Sequence, residues 1–219
     1  MQNLPSSPIF QGIGEDELPR LLQCLGARER RYRKGETILP EGQSTKQLGV
    51  VMTGRAIIGF DDAWGNHTVL GGAQPGEIFA EAYACVPDEI MRVGVTAAEE
   101  TAVLFLNAER LLAPCEVGCA FHSRMVRNLL AISARKNLQL SARMLHTGPK
   151  TIRGRLMSYF SECVLRAGAN RFTIPYDRQQ LADYLGVERS ALCGELSKMR
   201  RAGLVEYRKN HFEILRGES

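Results

Sequence analysis

The sequence predicts an α+β chain of three parts: an N-terminal β-roll of the jelly-roll-like kind, one long helix, and a small C-terminal domain holding a helix-turn-helix and a hairpin wing. Three observations carry this. Between Tyr32 and Leu106, short β-branched runs are separated by Gly35, Gly42, Gly54, Gly65 and Gly76. Residues 116–145 have no proline and no glycine after Gly118, with apolar positions at helical spacing. Basic charge gathers at the end: residues 147–219 hold 13 Lys and Arg against 8 Asp and Glu, whereas residues 1–146 hold 15 against 16. At 219 residues, 44% hydrophobic and 24% charged, the chain has a globular composition, which excludes wholesale disorder.

The elements follow in order. In GIGEDELPRLLQCL, Leu18, Leu21, Leu22 and Leu25 recur at helical spacing, with Glu15 to Glu17 expected in the first turn, where they suit the dipole. The runs ETIL, QLGVVM, RAIIGF, HTVLGG and TAVLFL read as strands, and Asp62–Asn66 reads as a hairpin turn. On the long helix Phe121, Met125, Leu129 and Ile132 form one stripe; Val126, Leu130, Ala134 and Leu138 form another. Two stripes imply two packing partners, the β-roll and a second copy of the same helix. Thr147-Gly148-Pro149 ends the helix. The expected boundaries are 1–115 for the roll, 116–146 for a dimerisation helix and 147–219 for the C-terminal domain.

The C-terminal domain is the most informative. Thr151 to Ala167 reads as a helix with Ile152, Leu156, Phe160 and Val164 inside and Arg153, Arg155 and Arg166 outside, followed by a strand-like Phe172–Pro175. Residues Asp177–Gly186 and Val187–Met199 then form a helix-turn-helix signature. Leu181, Ala182 and Leu185 face inward, Gly186 turns the chain, and Leu192, Leu196 and Met199 recur at i, i+4, i+7. The opposite face carries Arg189, Ser190, Lys198 and Arg201, an edge suited to a major groove. Leu204–Tyr207 and Phe212–Leu215 flank Arg208–His211 as a wing with a basic tip.

At these residues the sequence resembles the CRP/FNR family of bacterial transcription regulators, over nearly its whole length. Phe10, Gly12, Tyr32-Arg-Lys-Gly-Glu36, Gly54, Pro75-Gly-Glu-Ile-Phe-Ala-Glu81, the long helix and Asp177–Met199 carry the resemblance. It implies a homodimer with an effector-binding roll of the cyclic-nucleotide-binding-domain type, a dimerising helix and a winged helix-turn-helix. It further implies a double-stranded DNA operator and RNA polymerase as partners, in transcription activation. Arg189 and Ser190 match positions that read base edges, and Gly194 stands where the family commonly has Arg. Lys198, Arg201, Arg153 and Lys209 complete the expected DNA-contacting set.

The effector is a separate question. Cyclic-nucleotide-binding relatives carry a Gly-Glu pair followed about ten residues later by Arg and a small residue. Here Gly76-Glu77 precedes Arg92 by fifteen positions, counted from Glu77, with Asp88 and Glu89 between. Two carboxylates near a phosphate pocket repel the anion, so cAMP is disfavoured. Glu77, Glu81 and Arg92 remain the candidate effector-pocket residues. The second candidate is Cys115-Glu-Val-Gly-Cys119-Ala-Phe-His122, whose thiols and imidazole could share one helical face and suit a metal or haem. A metal, haem, a small organic molecule or a redox signal is therefore the expected effector.

Other classes fare worse. His-Glu-x-x-His and Gly-x-Ser-x-Gly are absent, and Gly148-Pro-Lys-Thr151 lacks the spacing of a phosphate-binding loop, so no enzyme is expected. A ligand-binding module acting through protein partners is the alternative, but it needs neither a basic wing nor Arg189. The start MQNLPSSPIF has no signal-peptide features, no apolar run approaches the ~20 residues that span a bilayer, and the six cysteines fit reduced thiols. A cytoplasmic protein without membrane contact is expected.

Overall fold

A computed structural model describes residues 5–61, 64, 67–113 and 120–215. The chain divides into two compact units, residues 1–135 and 136–219. In the first, a 3-10 turn (Pro8–Phe10) and α1 (Leu18–Cys24) precede β1 (Arg28–Tyr32), β2 (Thr37–Leu39), β3 (Gln47–Thr53), β4 (Ala56–Asp61), β5 (His67–Ala73) and β6 (Ile78–Phe79). Then come α2 (Glu81–Ala84), β7 (Gly94–Ala97), β8 (Thr101–Asn107), α3 (Ala108–Leu112) and the start of α4 (Ala120–Thr147). Glu15 to Glu17 lie ahead of α1 rather than in its first turn, because the Glu17 carboxylate accepts the Gly14 N–H at 3.0 Å and closes a turn before the helix. Apart from Trp64, the Asp62–Asn66 turn lies outside the described residues; β4 and β5 pair antiparallel on either side of it.

Two antiparallel four-stranded sheets form the roll, in orders β1-β8-β3-β6 and β2-β7-β4-β5. The first sheet is covered on both faces, which explains the unbroken apolar run of β8. Its Val103 and Phe105 point between the sheets with Val51, Phe79 and Val95, while Leu104 and Leu106 point the other way with Leu48 and Val50. That outer layer is completed by Leu21 and Leu22 of α1, by Leu25 just after it, and by Met125 and Leu129 of α4. Each buried Leu contributes about 1.5–3 kcal/mol, so the roll holds the start of the long helix firmly. Phe121 and Ile132 pack on this core as expected, but so does Val126, which the second stripe had claimed; Leu130, Ala134 and Leu138 stay exposed. Arg124 donates to the Glu17 carboxylate at 2.9 Å, and the Asn128 amide donates to the carbonyls of Ile9 and Gln11, fixing the same face.

The second unit continues α4 into α5 (Ile152–Ala167), β9 (Arg171–Thr173), α6 (Arg178–Leu185), α7 (Arg189–Arg201), β10 (Val205–Arg208) and β11 (His211–Ile214). Its sheet runs β10-β11-β9, all antiparallel. Leu156, Phe160, Phe172, Leu181, Leu185, Leu192, Leu196, Met199 and Phe212 share one core. The wing tip is shorter than the sequence suggests, since Arg208 and His211 are ladder partners and leave Lys209-Asn210 as the turn.

Candidate nucleic-acid interface

Local chemistry sets the two helices of the motif. Asp177 caps α6 by accepting the Gln180 N–H at 2.8 Å, and the Gln180 side chain accepts the Asp177 N–H at 2.9 Å, a complete capping box. Gly186 ends α6 at φ +63°, a left-handed conformation that glycine adopts without Cβ strain. Leu192, Leu196 and Met199 are fully buried and bind α7 to the core. The outward face of α7 then carries Ser190, Gly194, Ser197 and Arg201 in one line at i, i+4, i+7, i+11, flanked by Arg189 and Lys198. All six are exposed. Ser197 was not among the residues expected, although its spacing from Ser190 already carried that signal.

Two arginines hold the turn. Arg155 donates to the carbonyls of Pro149 (2.9 Å), Leu185 (2.9 Å) and Gly186 (3.1 Å), and Arg143 donates to those of Tyr184 (3.0 Å) and Asp183 (2.9 Å). Together they satisfy the orphan carbonyls at the end of α6, where positive charge also suits the dipole. Arg155 is therefore a fixed structural cation rather than an outward charge. Arg155→Ala is expected to destabilise the C-terminal unit by about 2 kcal/mol, a fall in Tm of about 10 °C for so small a unit. Thermal unfolding followed by circular dichroism checks this, and a change below about 0.5 kcal/mol, the size of an ordinary surface substitution, would sink it.

His146, at the last turn of α4, is buried between Tyr184, whose hydroxyl lies 2.8 Å from Nδ1, and Glu162, whose carboxylate lies 2.8 Å from Nε2. Burial pushes the Tyr184 phenol up, so it keeps its proton and can donate to Nδ1 while Nε2–H donates to Glu162. Burial, joined by neighbouring Cys163, raises Tyr159 as well. This polar aromatic cluster fastens the end of the long helix to the C-terminal core.

The remaining expected contacts divide. Arg153 is bound to Glu195 at 2.8 Å, and Lys198 reaches the other carboxylate oxygen at 3.7 Å. Glu195 thus ties α7 to α5 through Arg153, which points to a positioning role. A concavity of about 670 Å³ brings Arg189 and Lys209 together with Arg178, Gln179, Gln180 and Asn210. Arg178 stands over the rings of Tyr207 and Phe212, 5.0 Å from each, and donates to the Lys209 carbonyl at 2.8 Å. It fixes the wing against α6, a role that sequence alone did not signal. Residues 136–219 hold 15 Lys and Arg against 8 Asp and Glu, so this surface sits in a positive field.

In the first unit Glu77 is an exposed turn residue whose carboxylate accepts the Gln74 N–H at 2.8 Å. Glu81 is the buried carboxylate, opening α2 directly after Ala80, which holds the left-handed φ of +60° that suits glycine. Arg92 is exposed, fifteen residues after Glu77 and eleven after Glu81. Cys115 and Cys119 lie outside the described residues. His122 is described, and it is buried. No helix among the described residues is long and apolar enough to cross a membrane.

Comparison with known proteins accords with this architecture. The cyclic nucleotide-binding domain model matches residues 29–116, and the Crp-like helix-turn-helix domain model matches residues 154–219. No curated protein sequence matches the chain significantly. Among solved structures, CprK complexed with OCPA is similar at a TM-score of 0.65 and 14% identity, covering 92% of each chain. The c-di-GMP responsive global regulator CLP of Xanthomonas campestris aligns at 0.55 and 17% identity, over 91% of this chain and 98% of that one. The catabolite activator protein of Thermus thermophilus aligns at 0.50 and 23%, over 95% and 93%. With the two domain models spanning more than two thirds of the sequence on a fold these structures share, the chain belongs to the CRP/FNR family of transcription regulators.

Proposed function

We propose that the chain is a sequence-specific DNA-binding regulator, acting as a homodimer, in which effector sensing by the roll sets operator affinity through the long helix. The observation that carries this reading is the exposed face of α7, with Arg189 beside the wing residue Lys209 in one basic concavity. An α-helix fits the major groove, and an arginine at its start can pair with guanine O6 and N7. Arg201, Lys198 and Lys209 supply phosphate-facing charge, which positions the helix without reading sequence. The partner in the dimer is a second copy, seated on the exposed stripe of α4 that contains Leu130 and Leu138. Two-fold symmetry then places the half-sites about 34 Å apart. The effector-facing carboxylate is Glu81, and RNA polymerase is the partner at the promoter.

Selection from a random duplex pool with the full chain, followed by footprinting, tests the reading. A pseudo-palindrome with half-sites about one helical turn apart supports it; binding without sequence enrichment overturns it. Gly194 refines the test. A Cβ built there meets nothing within 4 Å, so Gly194→Arg introduces a guanidinium into open space at the centre of the reading face. The variant is expected to select a different operator, with about 1–3 kcal/mol of new discrimination at one base pair per half-site. An unchanged selected sequence would remove Gly194 from the reading face.

A further inference from the structure

We propose that Tyr184 is a positioning residue: through it the last turns of α4 set the placement of α7, and so the half-site spacing that the dimer accepts. The end of α4 grips this residue by its backbone, its ring and its hydroxyl. Arg143 donates to the Tyr184 carbonyl at 3.0 Å and to the neighbouring Asp183 carbonyl at 2.9 Å. The same guanidinium stands 5.7 Å from the centre of the Tyr184 ring. His146, three residues further along α4 and so on the same face, places its Nδ1 2.8 Å from the Tyr184 hydroxyl. His146 is itself held from α5, by the Glu162 carboxylate at 2.8 Å and edge-on by the Tyr159 ring at 5.3 Å. All of these contacts lie within residues 136–219.

Tyr184 is the penultimate residue of α6, followed by fully buried Leu185, the turn at Gly186 and then Arg189 at the start of α7. A grip at this point limits how the helix-turn-helix can turn on α4. Apolar packing alone tolerates sliding, whereas a hydrogen bond weakens steeply once bent, so the polar contacts give the joint a direction. In a dimer seated along α4, the angle at this joint in each copy determines where the two α7 helices lie. One extra base pair between half-sites turns them by about 35° and shifts them by about 3.4 Å, so a stiff joint makes spacing selective. This role rests on the dimeric DNA-binding reading above, and it adds a selectivity that Arg189 does not supply.

Titration of the full chain, wild type and Tyr184→Phe, against duplexes that carry the selected half-sites at altered spacings tests this. The series holds the preferred spacing and spacings one base pair shorter and one longer. Phenylalanine keeps the ring and removes only the hydroxyl. At the preferred spacing its affinity is expected to fall about three- to ten-fold, because a looser joint must be ordered on binding. The loss on changing the spacing by one base pair should shrink at least about three-fold relative to wild type, with base preference inside a half-site unchanged. Val205→Ala, in the same core but on β10, should lower Tm and leave the spacing profile as it is, which separates positioning from stability alone. Arg143→Met releases both carbonyls and should broaden the profile in the same way, so it decides the matter should Tyr184→Phe misfold. A variant profile that runs parallel to wild type at every spacing overturns the role of Tyr184. A wild type that selects no paired half-sites removes the dimeric reading instead, and this role with it.

Discussion

Arg189→Ala is expected to lower affinity for the selected operator by about 10²- to 10⁴-fold, while affinity for an unrelated duplex falls far less. The size follows from a bidentate arginine–guanine pair of about 1–3 kcal/mol, lost in both half-sites of a two-fold complex. The geometry favours base reading because Arg189 is the first residue of α7, where a recognition helix points its N-terminal side chains at base edges. It is exposed, whereas Arg153 and Arg155 are each held by protein acceptors. Arg189→Lys separates the two roles an arginine can play. Lysine keeps the charge but loses the planar fork, so it should restore non-specific binding without restoring discrimination. Titrations of operator and scrambled duplex at two salt concentrations provide the check. An equal loss on both sequences, with a shallower salt dependence and rescue by lysine, would make Arg189 a phosphate contact.

What the sequence revealed and what it concealed have physical causes. β8 and the helices α4, α6 and α7 were legible because their burial is periodic or continuous: β8 is apolar on both faces, and Leu192, Leu196 and Met199 return every turn. β1 was not legible, since Arg28-Glu-Arg-Arg-Tyr32 is a charged edge strand with one buried side chain. β6 has two residues and no pattern to read. The roles of Arg153 and Arg155 were hidden for another reason. Their acceptors, Glu195 and the carbonyls of Leu185 and Gly186, lie 30 to 42 residues away, and only the packed unit brings them together. Glu77 and Glu81 were both candidates, and the sequence could not show that Glu77 is exposed and Glu81 buried, because only the packed fold decides it. The backbone is left-handed ahead of both carboxylates, at Gly76 (φ +87°) and at Ala80 (φ +60°).

The long helix shows why two apolar stripes do not name their own partners. Leu129 and Leu130 are neighbours, yet Leu129 is 5% exposed within the roll's core and Leu130 is 69% exposed, as Leu138 is at 70%. A charge at Leu129 would therefore disrupt the N-terminal core before it tested any seam. Leu138→Glu tests the seam directly, because the side chain contributes to no core and its replacement leaves an isolated chain unstrained. In a dimer the same change buries a carboxylate against an apolar partner, at several kcal/mol for each copy. The expected outcome is a species of half the mass by light scattering and an operator affinity lower by about 10²- to 10⁴-fold, since two half-sites joined through one dimer gain that much from effective concentration. Leu129→Ala should do the opposite: the dimer mass stays, and stability falls by about 2–5 kcal/mol from the cavity left in the core. A Leu138→Glu chain that keeps its dimer mass and its footprint would move the seam off this stripe, and Leu130→Glu would then separate a shifted register from a different interface.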